Sequence, residues 1–519
     1  MTISHSVRNP RVRTISGLLA ASLVVAGCGS TVRQVTVEDF GFLDGGFTQG
    51  EQSEGIPAED GGDSAVQTAG GSEPGAGGNI DGTGSNERTA TGRQGGGDSR
   101  TSSPTTAPRS GRRSSTAGVT ATEIHIGVAY AAGSDAVLDS TGTQGTVGDI
   151  RDYVAILVED LNAGGGVGNR KVRAHFRAFD TTRTDTSAQE GAICSAFTED
   201  TPVFAVLVLF PQTENFNKCL VGRGVPAWAW GGASTSDNRT FEQFPLFVET
   251  GSLSMSRSYD VLVDRLVAQG FLTSASKIGV YSYSAPAFDR AVDVIDNALA
   301  RHGLAVHETA STPYSPGSGS LGGTSTNTQN AVLRFKDRGV DRVLFVEVGP
   351  LLAYLFMNAA ESQMIRQFRY AITTQSAPAW LALNIGTASA QLAGTTGIGW
   401  LPGEDLLGPD DPRTPSQQRC LDRLEAGGQT PTDRLQETTM FLVCDNVDTV
   451  AAAVASGGDQ PSTGALMAGL ERLGNNIRLA MTPHASFGPG RHDGVAAFHD
   501  MRWVGQCTCF RYSSEPRPV

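Results

Sequence analysis

From about residue 119 onward, short apolar runs alternate with segments whose apolar residues recur every three or four positions. Ile124–Ala129 is predicted to be a strand, and Ile150–Leu161 has the spacing of a helix that buries one face. The runs Val203–Leu209 and Arg342–Val346 are apolar throughout, which is typical of parallel strands covered on both faces. This strand–helix alternation predicts an α/β fold built from doubly wound parallel sheets.

The alternation occurs as two successive series, and the second begins after Leu246–Thr250. Together they span about four hundred residues, more than one hydrophobic core usually supports. The sequence therefore predicts two doubly wound lobes joined by a hinge. Within the second series, Ser311–Asn327 is rich in glycine, serine and threonine and is predicted to be a long, mobile loop.

The N-terminus has the pattern of an export signal. Arg8, Arg11 and Arg13 precede the short apolar run Ile15–Gly27, which ends in small residues immediately before Cys28. This junction resembles a bacterial lipobox, so residues 1–28 are predicted to be a lipoprotein signal peptide with Cys28 as the lipidated residue. A coincidental cysteine beside a signal peptide is the alternative. No second segment is predicted to span a membrane, which places the protein on the extracytoplasmic side, anchored to the cell membrane by lipid.

Residues 29–118 are dominated by glycine, serine, threonine, glutamine and acidic residues. Such a segment cannot bury enough apolar surface to offset its conformational entropy, and it is predicted to be a disordered linker. A weak domain around Val32–Phe47, where a few apolar residues gather, is the alternative. A Gly-rich linker would tether an anchored Cys28 to a mobile globular part.

The charge of the chain excludes one class of partner. The formal net charge is −13, and no basic run interrupts the acidic globular part. Binding to a phosphate backbone needs clustered Lys and Arg, so nucleic acid is not a predicted partner.

Six cysteines remain besides Cys28, and an even number in an exported chain favours disulfides. They are Cys194, Cys219, Cys420, Cys444, Cys507 and Cys509. Six cysteines allow fifteen pairings, so the residues alone leave the connectivity open.

Motifs for catalysis and for cofactors are missing from the sequence. There is no G-x-S-x-G elbow, no phosphate-binding loop of the Walker type and no H-E-x-x-H. Gly164–Gly168 is glycine-rich, but it follows a helix and precedes a strand, the reverse of a dinucleotide loop. The chain is therefore predicted to be a binding protein without catalysis and without a cofactor.

A zinc site near the C-terminus is the one metal hypothesis. Its candidate ligands are His484, His492, His499, Cys507 and Cys509. Their spacing matches no common zinc pattern, and cysteines in an oxidising compartment pair with each other. The sequence therefore predicts no metal site.

The loops that follow the predicted strands are small and polar, and in doubly wound sheets ligands bind beyond the carboxyl ends of the strands. Two of these loops lead into helices, whose N-terminal amides favour anionic groups. Ordinary turn chemistry explains any one loop, whereas six at the same position in the topology indicate a cleft for a small polar ligand. The candidate ligand-binding residues are Ser134, Gln212, Thr213, Ala233, Ser234, Thr235, Tyr283, Glu347 and Gln375.

The order of these elements resembles type I periplasmic binding proteins of ABC importers, of the kind that binds branched-chain amino acids. The similarity lies in Ile124–Val128, in the helix that ends at Asn162–Val167, in the strand Val172–Asp180, in Gly232–Thr235 and in Val340–Phe345. The resemblance implies two lobes linked by three crossovers, the first formed by 119–250 and 402–485, the second by 251–401 and 486–519. It also implies a membrane permease of an ABC importer as partner.

The resemblance assigns roles to several loop residues. Gln212-Thr213 and Ala233-Ser234-Thr235 match the loops that hold the ligand carboxylate in relatives, and Tyr283 approximates a ligand-binding tyrosine of the second lobe. Gln375 stands near the acidic residue that binds the amino group, and Glu347 is a candidate for that role. A neutral Gln cannot offset an ammonium charge in a dry cleft. The expected ligand class is therefore wider than the α-amino acids and is a small polar molecule, an amino acid, an amide or a related compound.

The resemblance also bears on the disulfides and on the function. Some relatives have a bridged pair that matches Cys194 and Cys219. Cys420 with Cys444 and Cys507 with Cys509 are further candidate pairs, the last of which would close a strained ring around one residue. Two alternatives to a transport receptor stay open, a sensor or surface-interaction lipoprotein with the same fold and an extracytoplasmic enzyme.

Overall fold

The computed structural model describes residues 117–140, 144–229, 235–315, 321–406 and 413–519. The predicted signal peptide, Cys28, most of the predicted linker, and the candidate residues Ala233 and Ser234 lie outside these ranges.

Five parallel strands form the first sheet, in the order β2-β1-β3-β4-β5. They are β1 (Glu123–Ala132), β2 (Lys171–Asp180), β3 (Ala205–Leu209), β4 (Ala227–Ala229) and β5 (Phe247–Glu249). The intervening helices are α1 (Ser134–Ser140), α2 (Ile150–Ala163), α3 (Thr186–Ser195), α4 (Glu214–Gly222) and α5 (Asn238–Gln243), and a π-helical turn, Ala196–Asp200, extends α3. All five residues of β3 are buried, as its uninterrupted apolar sequence predicts.

The second sheet repeats this arrangement. Its parallel part has the order β7-β6-β8-β9-β10, the same 2-1-3-4-5 winding as the first sheet, and antiparallel strands follow at the β10 edge. The strands are β6 (Ile278–Ser284), β7 (Val306–Pro313), β8 (Arg342–Val346), β9 (Arg369–Thr373), β10 (Thr396–Gly399), β11 (Ala497–Val504), β12 (Cys509–Tyr512) and β13 (Arg517–Pro518). The predicted α/β class with two doubly wound lobes is confirmed.

Nine further helices complete the described part of the chain. They are α6 (Met255–Ala268), α7 (Pro286–Arg301), α8 (Leu321–Arg338), α9 (Leu351–Ser362), α10 (Pro378–Asn384), α11 (Pro402–Asp405), α12 (Pro415–Ala426), α13 (Arg434–Gly457) and α14 (Thr463–Leu473). Helices α12, α13 and α14 follow the second sheet in sequence, yet α13 packs on β3, β4 and α2. The chain therefore returns to the first lobe before β11 adds to the second sheet. The residue limits of the two lobes stay a prediction.

Helix α13 has the length and mean hydropathy of a membrane span, although the sequence analysis expected no such segment after residue 28. Among the described residues it is the one helix with these properties, and 67% of its most apolar window is buried inside the protein. Burial on most sides explains the apolar composition of a core helix.

The prediction of a mobile loop over Ser311–Asn327 is wrong at both ends. Strand β7 continues to Pro313, and helix α8 begins at Leu321. Tertiary contacts override the weak helix propensity of this polar segment, because the Thr328 hydroxyl lies 2.7 Å from the Tyr281 hydroxyl and Asn327 donates to Thr312.

Candidate functional site

The two sheets carry the predicted loops at equivalent places. In a parallel sheet whose strands lie in the order 2-1-3-4-5, the direction of winding reverses between strand 1 and strand 3, numbered along the chain. The crevice for a ligand opens at this point. Ser134 follows β1 and Gln212-Thr213 follow β3 at the switch point of the first sheet. Tyr283 lies at the end of β6 and Glu347 follows β8 at that of the second.

Thr213, the residue before α4, is held by a carboxylate of the protein itself. Its backbone N–H and its hydroxyl donate to the two carboxylate oxygens of Glu190, at 2.7 and 2.6 Å. Glu190 lies on the buried face of α3 and is 3% exposed. Burial raises the pKa of Glu190, and the two hydrogen bonds from Thr213 oppose this rise.

In the second lobe, Glu347 likewise accepts hydrogen bonds at the start of a helix. Its carboxylate accepts hydrogen bonds from the Leu352 and Ala353 N–H groups at the start of α9, at 2.9 and 3.2 Å, and from the Ser376 hydroxyl at 2.6 Å. The side chain is fully buried, which raises the pKa of Glu347 to about 8, against the effect of these donors. A carboxylate of the chain therefore binds the first N–H groups of the helix.

Three aromatic rings form a cluster beside Glu347. Tyr283, Phe288 and Tyr314 lie with ring centroids 5.2 to 5.5 Å apart. Burial raises the pKa of Tyr314, and the negative charge of Glu190 raises it further. Tyr314 of the second lobe is thus close enough to Glu190 of the first lobe to interact with it electrostatically.

The remaining described candidates lie on loops at the ends of strands and at the starts of helices. Ser134 begins α1 and Thr235 precedes α5, and both are partly buried. Gln212 and Gln375 are 4% and 2% exposed.

An ion pair connects the lobes beside the predicted site. Arg290 of α7 donates to both carboxylate oxygens of Asp237, the N-cap residue of α5, with Nη2 at 3.0 Å from Oδ1. Burial opposes ionisation of Asp237, but the hydrogen bonds from Arg290 and Thr240 outweigh it and lower the pKa of this carboxyl group. A second contact between the lobes is the hydrogen bond from the Gln144 N–H to Asn384, at 3.0 Å.

The crossovers between the lobes are held by buried carboxylates. Asp493 accepts from the Ser254 N–H at 2.9 Å and from Arg257 at 2.6 Å, which joins the first crossover to the third. Asp405 accepts from the Leu401 N–H at 3.0 Å and from the Tyr512 hydroxyl at 2.5 Å, which fixes the second crossover to the second sheet. These contacts fix the positions of the crossover segments that connect the lobes.

Sequence reasoning missed Glu190, Ser376, Asp237 and Arg290. Glu190 carried a signal, because an acidic residue in the otherwise buried helical face of Thr186, Ile193 and Cys194 needs a partner. The other three have no comparable pattern in the sequence, since their partners are 29 to 53 residues away.

The structure pairs the six described cysteines as Cys194–Cys219, Cys420–Cys444 and Cys507–Cys509. The first bond joins α3 to α4, and the second joins α12 to α13. Because Cys507 and Cys509 are bonded to each other, neither provides a thiolate for the zinc hypothesis.

The comparisons with known proteins agree with this architecture. The family model described as periplasmic binding protein matches residues 136–506. No curated protein sequence matches the chain at a significant level.

Solved structures with the same fold cover most of the described chain. A solute-binding protein of an ABC transporter from Rhodopseudomonas palustris, in complex with p-hydroxybenzoic acid, has a TM-score of 0.56 at 15% identity, over 76% of this chain and 97% of that one. The branched-chain amino acid transporter substrate-binding protein of Streptococcus pneumoniae, in complex with isoleucine, has a TM-score of 0.52 at 14% identity, over 76% and 100%. A substrate-binding periplasmic protein from Ralstonia solanacearum has a TM-score of 0.54 at 16% identity, over 74% and 99%.

The match of the family model over most of the globular part and the shared architecture establish the family, as the sequence resemblance predicted. The chain belongs to the periplasmic binding proteins, with the type I fold.

Proposed function

We propose that the protein is a lipid-anchored, extracytoplasmic receptor that captures a small polar molecule between its lobes and delivers it to the permease of an ABC importer. Family membership supports this role, as do the solved relatives that are described as ABC transporter solute-binding proteins. Its action is binding and release, without catalysis and without a cofactor.

The observation that carries the proposal is the placement of the two switch points. The loops after β3 and β8 bring Thr213 and Glu347 to the carboxyl ends of their sheets. The Asp237–Arg290 ion pair joins the two lobes that carry these loops. Hinge closure on a ligand requires contacts from both lobes in the closed state, and in the proposed role these two loops make them.

The ligand class follows from the internal carboxylates. Thr213 N–H and hydroxyl, and the first N–H groups of α9, are the donors that would otherwise suit an anionic group, and Glu190 and Glu347 occupy them. A ligand carboxylate would have to displace a buried carboxylate or lie beside one. We therefore propose an uncharged or cationic polar ligand, such as an amide.

Thermal-shift measurements with matched ligand pairs test this class. Leucinamide and 4-hydroxybenzamide are compared with leucine and 4-hydroxybenzoate, which differ by the carboxylate. We expect the carboxamides to raise the melting temperature of the full chain and the carboxylates to leave it unchanged. Stabilisation by the carboxylates alone would contradict the proposed ligand class.

Substitutions then locate the site. Once a ligand is known, Ser234→Ala is expected to weaken its binding about ten- to a hundredfold, because it removes a hydrogen bond buried against ligand. Thr213→Ala is expected to have a similar effect, because the Thr213 hydroxyl donates to Glu190 and its oxygen is left to accept a hydrogen bond from the ligand. Calorimetry measures the affinity, and circular dichroism checks that the variants fold. Wild-type affinity in both variants would show that the site lies on other loops.

A further inference from the structure

A separate cavity of about 180 Å³ lies between α10 of the second lobe and the first turn of α13, which packs on the first lobe. An engineered apolar cavity of about 150 Å³ holds a benzene molecule, so this cavity has room for a single ring or a short aliphatic chain. The hydrogen bond from Gln144 to Asn384 crosses between the lobes beside it. None of its lining residues belongs to the candidate ligand-binding loops.

One wall of this cavity is apolar. Ala379, Trp380 and Leu383 of α10 line it, together with Leu435 of α13. The Trp380 ring packs edge-on against Tyr354, with centroids 5.6 Å apart. Leu383 is 43% exposed, which is unusual for a large apolar side chain in this protein. A ligand with an apolar body would cover this wall.

The lining also includes three charged side chains, two of which have partners. Asp433 caps α13 and accepts a hydrogen bond from the Thr146 N–H at 3.0 Å. Arg434 donates to Glu437 at 2.5 Å. Within the part of the chain that the structure describes, the Glu404 carboxylate has neither a hydrogen bond nor an ion pair. Arg434 Nε is buried without a hydrogen-bond partner among the described residues, and Glu404 is the carboxylate of this lining that is left for a ligand.

We infer that this cavity binds a small apolar molecule that carries a protonated amine, with the ammonium group at Glu404 and the apolar body against Trp380 and Leu383. A partly buried carboxylate without a hydrogen-bond partner is stabilised by an opposite charge, and an ammonium group supplies both the charge and hydrogen-bond donors. The inference does not depend on the proposed function, because the two sites share no residue.

The ionisation of Glu404 gives this site a dependence on pH. Burial raises the pKa of Glu404 to about 7, and the positive charge of Arg434 opposes this rise. The neighbouring groups are Asp433 on α13 and Asp405, the next residue, whose pKa burial also raises to about 7. Because an ammonium group binds the ionised carboxylate, affinity should increase about tenfold between about pH 6 and pH 8.

Calorimetric titration of the full chain with 2-phenylethylamine tests the inference, with 2-phenylethanol as the neutral control. We expect the wild type to bind the amine at least about tenfold more tightly than the alcohol. Glu404→Gln should abolish the preference for the amine and its pH dependence without weakening the binding of the alcohol. Trp380→Leu should weaken the binding of both probes, and Thr213→Ala should leave both affinities unchanged.

The variants also define what would overturn the inference. Equal affinity of the wild type for amine and alcohol, or no binding of the amine up to pH 8, would do so. A preference for the amine that survives in Glu404→Gln but disappears in Thr213→Ala would place the amine in the loop cleft instead, and would leave the proposed function standing. Glu404→Asp keeps the negative charge. If this variant still prefers the amine to the alcohol, the loss of preference in Glu404→Gln is due to the lost charge and not to a change in structure.

Discussion

At the scale of single residues, the notable feature is how many buried carboxylates serve the backbone of this protein. Glu347 binds the start of α9, Asp493 binds Ser254, and Asp445 accepts from three successive N–H groups, those of Ala480, Met481 and Thr482. Each of these carboxyl groups accepts hydrogen bonds from backbone N–H groups that have no partner within their own helix or loop, and so takes the place of water there. The cost is that burial favours the protonated form, so stability is linked to pH.

The first prediction concerns this linkage. Burial raises the pKa of Glu347 from 4.5 to about 8 in the folded protein. Between these two values the folded state binds a proton that the unfolded state has lost, so the contribution of Glu347 to stability is fully present below about pH 4.5 and is lost as pH rises towards 8. The fall is at most about 1.4 kcal/mol per pH unit for each such group. Denaturant unfolding between pH 5 and pH 8.5 measures it.

A matched pair of variants isolates the contribution of Glu347. Glu347→Gln should make the free energy of unfolding fall less steeply with pH, while Glu425→Gln, at an exposed position of α12, should leave the slope unchanged. Part of the slope of the free energy of unfolding against pH should remain in Glu347→Gln, because burial also raises the pKa of Glu404 and of Asp405 to about 7. An unchanged slope in Glu347→Gln would contradict the prediction.

At the scale of elements, disulfides connect helices that lack other covalent constraints. Cys194–Cys219 ties α3, which carries Glu190, to α4, which begins after Thr213. This bond therefore holds together the two helices whose residues meet at the switch point of the first sheet. Cys420–Cys444 performs the same task for α12 and α13, away from that site.

The second prediction compares two of these bonds. Cys420 and Cys444 are 24 residues apart, and opening a loop of this size raises the entropy of the unfolded chain enough to lower the free energy of unfolding by about 3 kcal/mol. Replacing both by Ser should have this effect. Replacing Cys507 and Cys509, which are 2 residues apart, should have a smaller one. Denaturant titration of the two double variants decides the order, and a reversed order would refute the entropic argument.

At the scale of the whole molecule, two sheets with the same winding are joined by three crossovers and by the Asp237–Arg290 ion pair. In the proposed function, these connections would allow the lobes to close on a ligand while each sheet stays intact. Asp237 is 2% exposed and Arg290 is partly buried, so this pair is poorly screened by solvent. The proposed transport role also needs the molecule to stay near its permease.

The third prediction concerns this anchoring. If Cys28 is lipidated, Cys28→Ser should release the protein from membranes or block removal of the signal peptide, because one acyl-bearing residue supplies the whole attachment. Fractionation followed by N-terminal sequencing of the product measures both effects. A processed Cys28→Ser protein that stays in the membrane fraction would exclude a lipid anchor at this residue.

Much of the fold could be predicted because the periodicity of a strand or a helix is a local property. The apolar run Val203–Leu209 corresponds to β3, and the three-four spacing from Ile150 corresponds to α2. The order of such elements was enough to indicate the family. The position of the candidate loops follows in turn, because parallel strands bring their carboxyl ends to one edge of the sheet.

Only the tertiary structure decided which groups meet at that edge. Thr213 was predicted as a ligand-binding donor, but Glu190, 23 residues earlier, accepts both of its hydrogen bonds. Asp237 pairs with Arg290 of the other lobe, and Thr328 joins α8 to Tyr281 where the sequence predicted a loop. These partners are set by the packing of sheets and helices, and a hydrogen bond between residues far apart in the chain leaves no periodic pattern in the sequence.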